Sequence, residues 1–207
     1  SADDSMIMYA KVAATDGGPN GIPTLEMTSA DGAMTTTLFT GLPIEAFYVP
    51  RWTPDGGVLM EIDTFASARV DETEVLGARV GPIVPTADGR ALAPLVDEGA
   101  WASYPAVTPI DGRVVLQMPV ADDPFGPADL FLIDPDEGEP TRLTTFGDGG
   151  GWAIQPSWTP DGSRIVFVAE DVVRTHPNVA TIAADGTGLK RLHDAPFRTH
   201  PRLRPVP

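Results

Sequence analysis

The chain contains no cysteine. Disulfides, thiolate metal sites and a cysteine nucleophile are therefore excluded. This lack identifies no compartment, because exported proteins also fold without disulfides. No apolar run approaches the ~18 residues needed to cross a bilayer. Signal-peptide features are missing, and the opening Ser1-Ala2-Asp3-Asp4 reads as a mature or trimmed start. There is no Gly-x-Ser-x-Gly elbow, no His-Glu-x-x-His and no phosphate-binding Gly-rich loop before a helix. Positive charge is scarce: 14 Lys and Arg against 29 Asp and Glu leave a net charge of −15. Such a surface repels nucleic acid and anionic lipid headgroups, so neither is expected as a partner. The basic residues that exist collect at the C-terminal end, where residues 164–207 carry 7 of the 14.

Proline and glycine are abundant, at 22 and 21 residues of 207. They punctuate the chain instead of forming a tract, which predicts many short elements joined by tight turns. One phrase recurs: Pro50-Arg51-Trp52-Thr53-Pro54-Asp55-Gly56 and Pro156-Ser157-Trp158-Thr159-Pro160-Asp161-Gly162. Pro105 to Gly112 is a copy with one inserted residue, and Pro201 to Pro205 is a truncated one. Pro presets φ for a turn, Asp supports it through its side chain and Gly accepts φ > 0. After each full copy comes a β-branched run, such as Ile165-Val166-Phe167-Val168, which makes a hairpin. A second hairpin turns at Ser29–Gly32, Thr86–Gly89, Pro135–Gly138 and Ala183–Gly186. Two hairpins give four strands per unit, a to d, and four-stranded units of this length are the mark of a β-propeller.

The segments "PSWTPDGSRIVFVAED" and "NVATIAADGTGLKRLHD" resemble the repeat of TolB-type propellers. That repeat also occurs in propellers of prolyl-oligopeptidase-like enzymes and oligogalacturonate lyases. The resemblance is strongest over 156–193 and weak in 1–49. It implies an all-β fold, and a bacterial protein of the periplasm or envelope, or a secreted one. It also implies an accessory subunit that binds a protein partner, such as a subunit of a membrane-associated complex.

The repeat prolines are spaced by 55, 51 and 45 residues, and wrapping from Pro201 through the C-terminus to Pro50 gives 56. This predicts one domain, 1–207, with repeats 1–49 plus 201–207, 50–104, 105–155 and 156–200. The ring is then a four-bladed β-propeller closed by strand a at 201–205 pairing beside strand b at 6–12, which hides two edges. The alternative is a fragment of a six- to eight-bladed propeller.

In a propeller the b–c and d–a connections share one face. The b–c connections are expected to be long, at roughly 13–21, 64–77, 119–127 and 169–177, and variable loops on a scaffold are where binding develops. Phe47, Trp101, Trp152 and Phe197 recur just before the repeat proline, Tyr104, Gln155 and His200 immediately before it, and Arg51 and Arg202 just after. They are the candidate binding residues: aromatics for a protein, glycan or small anionic ligand, and arginines for a carboxylate. The alternative is that the aromatics wedge between blades as core. Trp52 and Trp158 are expected in the core. Gly147–Gly151 reads as a flexible loop.

Of His176, His193 and His200, only His200 falls at a repeat-equivalent position. No metal, cofactor or catalytic residue is therefore expected, although the lyases that share the repeat use channel histidines for metal. The expectation is a non-enzymatic binding module.

Overall fold

The computed structural model describes residues 1, 4–15, 18–65, 75–134, 138–171 and 177–193. The chain falls into two compact units, Ser1–Gly99 and Ala100–Pro207. The described secondary structure is almost all antiparallel β, as the turn spacing predicts.

The first unit holds a three-stranded sheet of β1 (Met6–Thr15), β2 (Gly18–Ser29) and β3 (Thr35–Thr40). It also holds a four-stranded sheet of β4 (Glu45–Trp52), β5 (Val58–Phe65), β6 (Val75–Thr86) and β7 (Gly89–Leu92). Leu25 of the first sheet and Phe47, Met60, Ile62, Ile83 and Leu92 of the second share one buried cluster, with Trp52 half-buried against it. β5 has its first five residues buried on both faces, so its apolar run Val58-Leu59-Met60 goes straight into the core and carries Glu61 in with it. β3, at the outer edge, has only Leu38 and Phe39 half-buried among its six residues. The first b–c connection is not the long loop expected at 13–21. β1 and β2 pair to Thr15 opposite Gly18, so only residues 16–17 join them. A backbone ladder tolerates Gly18 and Gly21 in a strand when they sit near a hairpin end.

The second unit contains β8 (Ser103–Val107), β9 (Val114–Pro119), β10 (Ala128–Ile133) and β11 (Thr141–Arg142). It continues with β12 (Trp152–Trp158), β13 (Arg164–Glu170), β14 (Asn178–Ala183) and β15 (Lys190–His193). Each set of four is a blade in order a to d, and a single parallel pairing, Ala128 opposite Trp152, joins them. Their shared core contains Val115, Leu130, Ile165, Phe167 and Ile182. Trp158 is buried there and donates its indole N–H to the Ala106 carbonyl at 2.9 Å, so the motif tryptophan links one blade to the next.

The Thr-Pro-Asp-Gly turns close as the sequence predicts. Gly56 N–H donates to the Thr53 carbonyl at 3.0 Å and Gly162 N–H to the Thr159 carbonyl at 2.9 Å. In each, the threonine hydroxyl donates to the turn aspartate. These hydroxyl bonds, and that of Thr108, hold the Asp55, Asp111 and Asp161 carboxyls below the usual range. Gly147–Gly151, expected to be flexible, forms a 3-10 turn closed by Gly150 N–H to the Gly147 carbonyl at 2.9 Å. A Cβ on Gly151 would lie 2.3 Å from the Glu170 carbonyl oxygen, so this glycine allows a close approach of backbones.

The proposed closing strand at 201–205 lies outside the described residues. The four-bladed closure is therefore not part of the observed architecture.

Candidate functional site

The innermost strand of each described blade carries the same irregularity. Across β4, Tyr48 pairs with Glu61 and Arg51 with Leu59, so three steps on one strand face two on the other. β8 repeats this between Ser103 and Ala106, and β12 between Ile154 and Ser157. Each is a β-bulge at the dipeptide that ends in the repeat proline. The residue before the proline has positive φ in all three: 40° at Val49, 52° at Tyr104 and 55° at Gln155. For residues with a Cβ this left-handed conformation is strained by roughly 1–2 kcal/mol. A bulge also frees an amide and re-aims a side chain. In the second unit the freed amide of Gln155 donates to Gln117 Oε1, on β9 of the neighbouring blade, at 2.9 Å.

The candidate residues fall into different settings. Phe47 is buried, its ring 5.3 Å from that of Phe39 and tilted by 30°, so it belongs to the core of the first unit. Arg51 is half-buried and its guanidinium donates to the Pro50 carbonyl at 3.2 Å. In the second unit Trp101 just before β8, Tyr104 on β8, and Trp152 and Gln155 on β12 are all half-buried. Trp101 also has positive φ, at 51°. Trp152 donates its indole N–H to the Gly126 carbonyl at 2.9 Å, which ties it to the loop 120–127. Phe197, His200 and Arg202 lie outside the described residues, as does His176.

Beside these residues lies a charged support. Asp129 of β10 is fully buried. Its carboxylate accepts from the Thr144 hydroxyl, from Phe146 N–H at 2.8 Å, from Gly147 N–H at 3.1 Å and from the Arg142 guanidinium. Arg142 also reaches Asp148, and the two carboxylates, Asp129 foremost, hold its proton more tightly than usual. This network fixes the turn leading into Trp152. In sequence Asp129 and Thr144 stand 15 residues apart, a spacing that carries no chemistry by itself.

Two further features were not legible as motifs. The first is Phe125, 77% exposed at the tip of the loop 120–127. The second is a pair of carboxyls in the first unit, Glu61 and Asp63, two apart on one face of β5. Glu61 is buried and its side chain hydrogen-bonds Asp63. Asp63 Oδ1 is buried with no hydrogen-bond partner, and burial pushes the carboxyl up to about 6.

Among the described residues no three His, Cys, Asp or Glu side chains form a group that could hold a metal. No helix among them is long and apolar enough to cross a membrane.

No family model matches the chain, and no curated protein matches it. Solved structures do. The chain is similar to TolB from Acinetobacter baumannii, with a TM-score of 0.60 and 17% identity over 91% of this chain and 41% of that one. It is similar to an oligogalacturonate lyase in complex with manganese, with a TM-score of 0.66 and 15% identity over 97% of this chain and 53% of that one. The nidogen/laminin complex gives a TM-score of 0.55 and 12% identity over 90% of this chain and 60% of that one. The likeness is one of fold, and the fold is TolB-like and propeller-like. The chain spans between 41 and 60% of the length of these three structures.

Proposed function

We propose that this chain is a non-enzymatic TolB-like binding module, an accessory subunit that docks a protein partner in the bacterial periplasm or envelope. The supporting observation is the repeated bulge. The strained backbone is the same at Val49, Tyr104 and Gln155, while the side chain differs each time: aliphatic, phenolic, amide. A constant backbone device with a changing side chain suits recognition, which needs variety on a fixed frame. Catalysis would instead demand a particular set of groups at particular distances. The fold likeness to TolB agrees with this reading.

The test is binding of a purified partner, identified first from an envelope extract. Tyr104→Ala combined with Gln155→Ala should weaken it at least tenfold. Leu189→Ala, at an exposed position just before β15, is the control and should change nothing. Unchanged affinity in the double variant would remove the proposed dock. Incubation with oligogalacturonate and manganese should release no product, and turnover there would overturn the non-enzymatic reading.

A second reading has one observation in its favour. Gln155 bonds to Gln117, and Ser103, next to Tyr104, pairs opposite Gln117, so amide and phenol groups come from adjoining positions of the second unit, which suits a glycan or small anionic ligand. Saturable quenching of tryptophan fluorescence by such a ligand would support it.

The four-bladed ring also belongs to this proposal. Because the chain has no cysteine, Met8→Cys with Leu203→Cys tests it cleanly. An intramolecular disulfide in the monomer supports closure of 201–205 beside β1. Its absence under oxidation favours the fragment of a larger propeller.

A further inference from the structure

Phe125 is the one phenylalanine among the described residues that the fold leaves exposed. Phe47 and Phe167 are buried, and Phe39, Phe65, Phe131 and Phe146 are half-buried. A lone exposed apolar side chain is ordinary on a protein surface. Its support makes this one different. Gly126 N–H donates to the Asp123 carbonyl at 3.0 Å, and Val120 N–H to the Pro127 carbonyl at 3.0 Å. Phe125 N–H donates to Asp123 Oδ1 at 3.0 Å. Trp152, from the next blade, donates to the Gly126 carbonyl at 2.9 Å. Pro124 and Pro127 restrict the backbone on either side of the ring. The ring is thus ordered by folding, and little further ordering is needed when a partner covers it. Carboxylates flank it: Asp122 is exposed next to the turn, Asp123 within it, in a chain of net charge −15.

We infer that Phe125 is the anchor through which the second unit docks its protein partner, in an apolar pocket rimmed by lysine or arginine. The inference rests on the binding-module reading above and names the contact within it. Trp152 is a positioning residue: it holds the loop and does not itself meet the partner. A large aromatic ring seated in a pocket is the usual centre of such an interface. The flanking carboxylates steer a basic rim toward it and reject an acidic one. An anionic membrane is opposed by the same charges, and a single ring gives little interfacial insertion.

The test places a photoreactive benzoylphenylalanine at position 125 of the full chain, irradiated in the cells that make it. A second chain carries it at position 104. The adduct is identified by mass spectrometry, and the captured protein is purified and titrated against the unlabelled chain at low and high salt. The expected result is one protein, crosslinked at 125 in an apolar segment bordered by Lys or Arg. Phe125→Ala should then lower its affinity at least tenfold, and Asp122→Asn should lower it several-fold and flatten the salt dependence. Trp152→Phe should weaken binding several-fold while amide exchange in 120–127 rises. Phe125→Ala removes only an exposed ring, so its melting temperature should match that of the wild type. Capture at 104 but not at 125, or unchanged affinity in Phe125→Ala, overturns the anchor and leaves the binding module standing. No protein captured at either position overturns both. Binding to neutral phosphatidylcholine vesicles that Phe125→Ala abolishes would assign the ring to a lipid surface and overturn the inference.

Discussion

The backbone amide of Gln155 donates to the side-chain oxygen of Gln117, 2.9 Å away on the adjoining blade. The bulge in β12 removes this amide from the strand ladder, and a side chain from another blade takes it up. Strain inside one repeat is thereby coupled to packing between two.

Gln117→Leu keeps much of the volume and removes the acceptor. The half-buried amide of Gln155 then lacks its partner, which costs roughly 1–3 kcal/mol. Gln117→Glu keeps an acceptor and should lose less. Chemical unfolding of both variants checks this, and equal losses would mean that the bond contributes nothing beyond shape.

Val49 is the sharpest case of strain, a β-branched residue at φ 40°. Asparagine tolerates the left-handed region far better, so Val49→Asn should be close to neutral or stabilising by up to about 1 kcal/mol, although it removes apolar atoms. The same exchange at Val115, which is fully buried in β9, should cost about 3 kcal/mol or more. Melting temperatures of the pair test it; similar losses at both sites would show that the bulge at Val49 is not strained.

These bulges also mark where the sequence could not be read. A residue before proline is biased toward extended φ, so local rules point away from the left-handed conformation found at Val49, Tyr104 and Gln155. The conformation is imposed by packing of the innermost strand, which a local window does not contain. The Thr-Pro-Asp-Gly turns were legible because their hydrogen bonds lie within five residues, as from Thr159 to Arg164. Trp158 was legible as core because it recurs with the motif. The hairpin between β1 and β2 was missed because Gly18, Pro19, Asn20 and Gly21 carry turn composition, while the strand pairing runs on past them from Ala13 opposite Ile22 to Thr15 opposite Gly18. Phe125 was missed because an aromatic in a loop has no periodicity to betray its exposure. Phe47 stands three residues before its repeat proline where the other candidate aromatics stand four, and it lies in a core that only the partner sheet reveals.

Asp129 tests the support beneath the second unit. Asp129→Asn places an amide where Gly147 N–H and Arg142 both donate, and leaves Arg142 with one carboxylate, Asp148. Asp129 is fully buried but Arg142 keeps a third of its side chain exposed, so the loss should fall below the roughly 3–5 kcal/mol of a wholly buried pair. Adding Arg142→Met removes the cation that has lost its buried partner, so the double variant should recover part of that loss. A double-mutant cycle by denaturant unfolding measures the coupling, and strict additivity would mean that the two residues act independently.

Asp63 makes stability depend on pH in the opposite sense from the turn aspartates. Its cross-strand neighbours are Ala46 on β4 and Ala78 on β6, neither of which offers a side-chain donor. Burial therefore raises the carboxyl from 3.8 to about 6, with only the Glu61 hydrogen bond opposing the rise. A folded-state value above the unfolded one means that the native protein binds the extra proton between them. The stability this gives is fully present below 3.8 and is lost as pH rises through about 6. Asp55, Asp111 and Asp161 have lowered values, so their contribution is present above 3.8 and is lost as pH falls below it. Asp63→Asn is neutral at every pH and nearly isosteric. Its stability relative to the wild type should climb between pH 4 and about 6 and level off by pH 8. Unfolding curves at pH 4, 5, 6, 7 and 8 decide it. A difference that stays flat across that range would mean that Asp63 titrates as an ordinary solvated carboxyl.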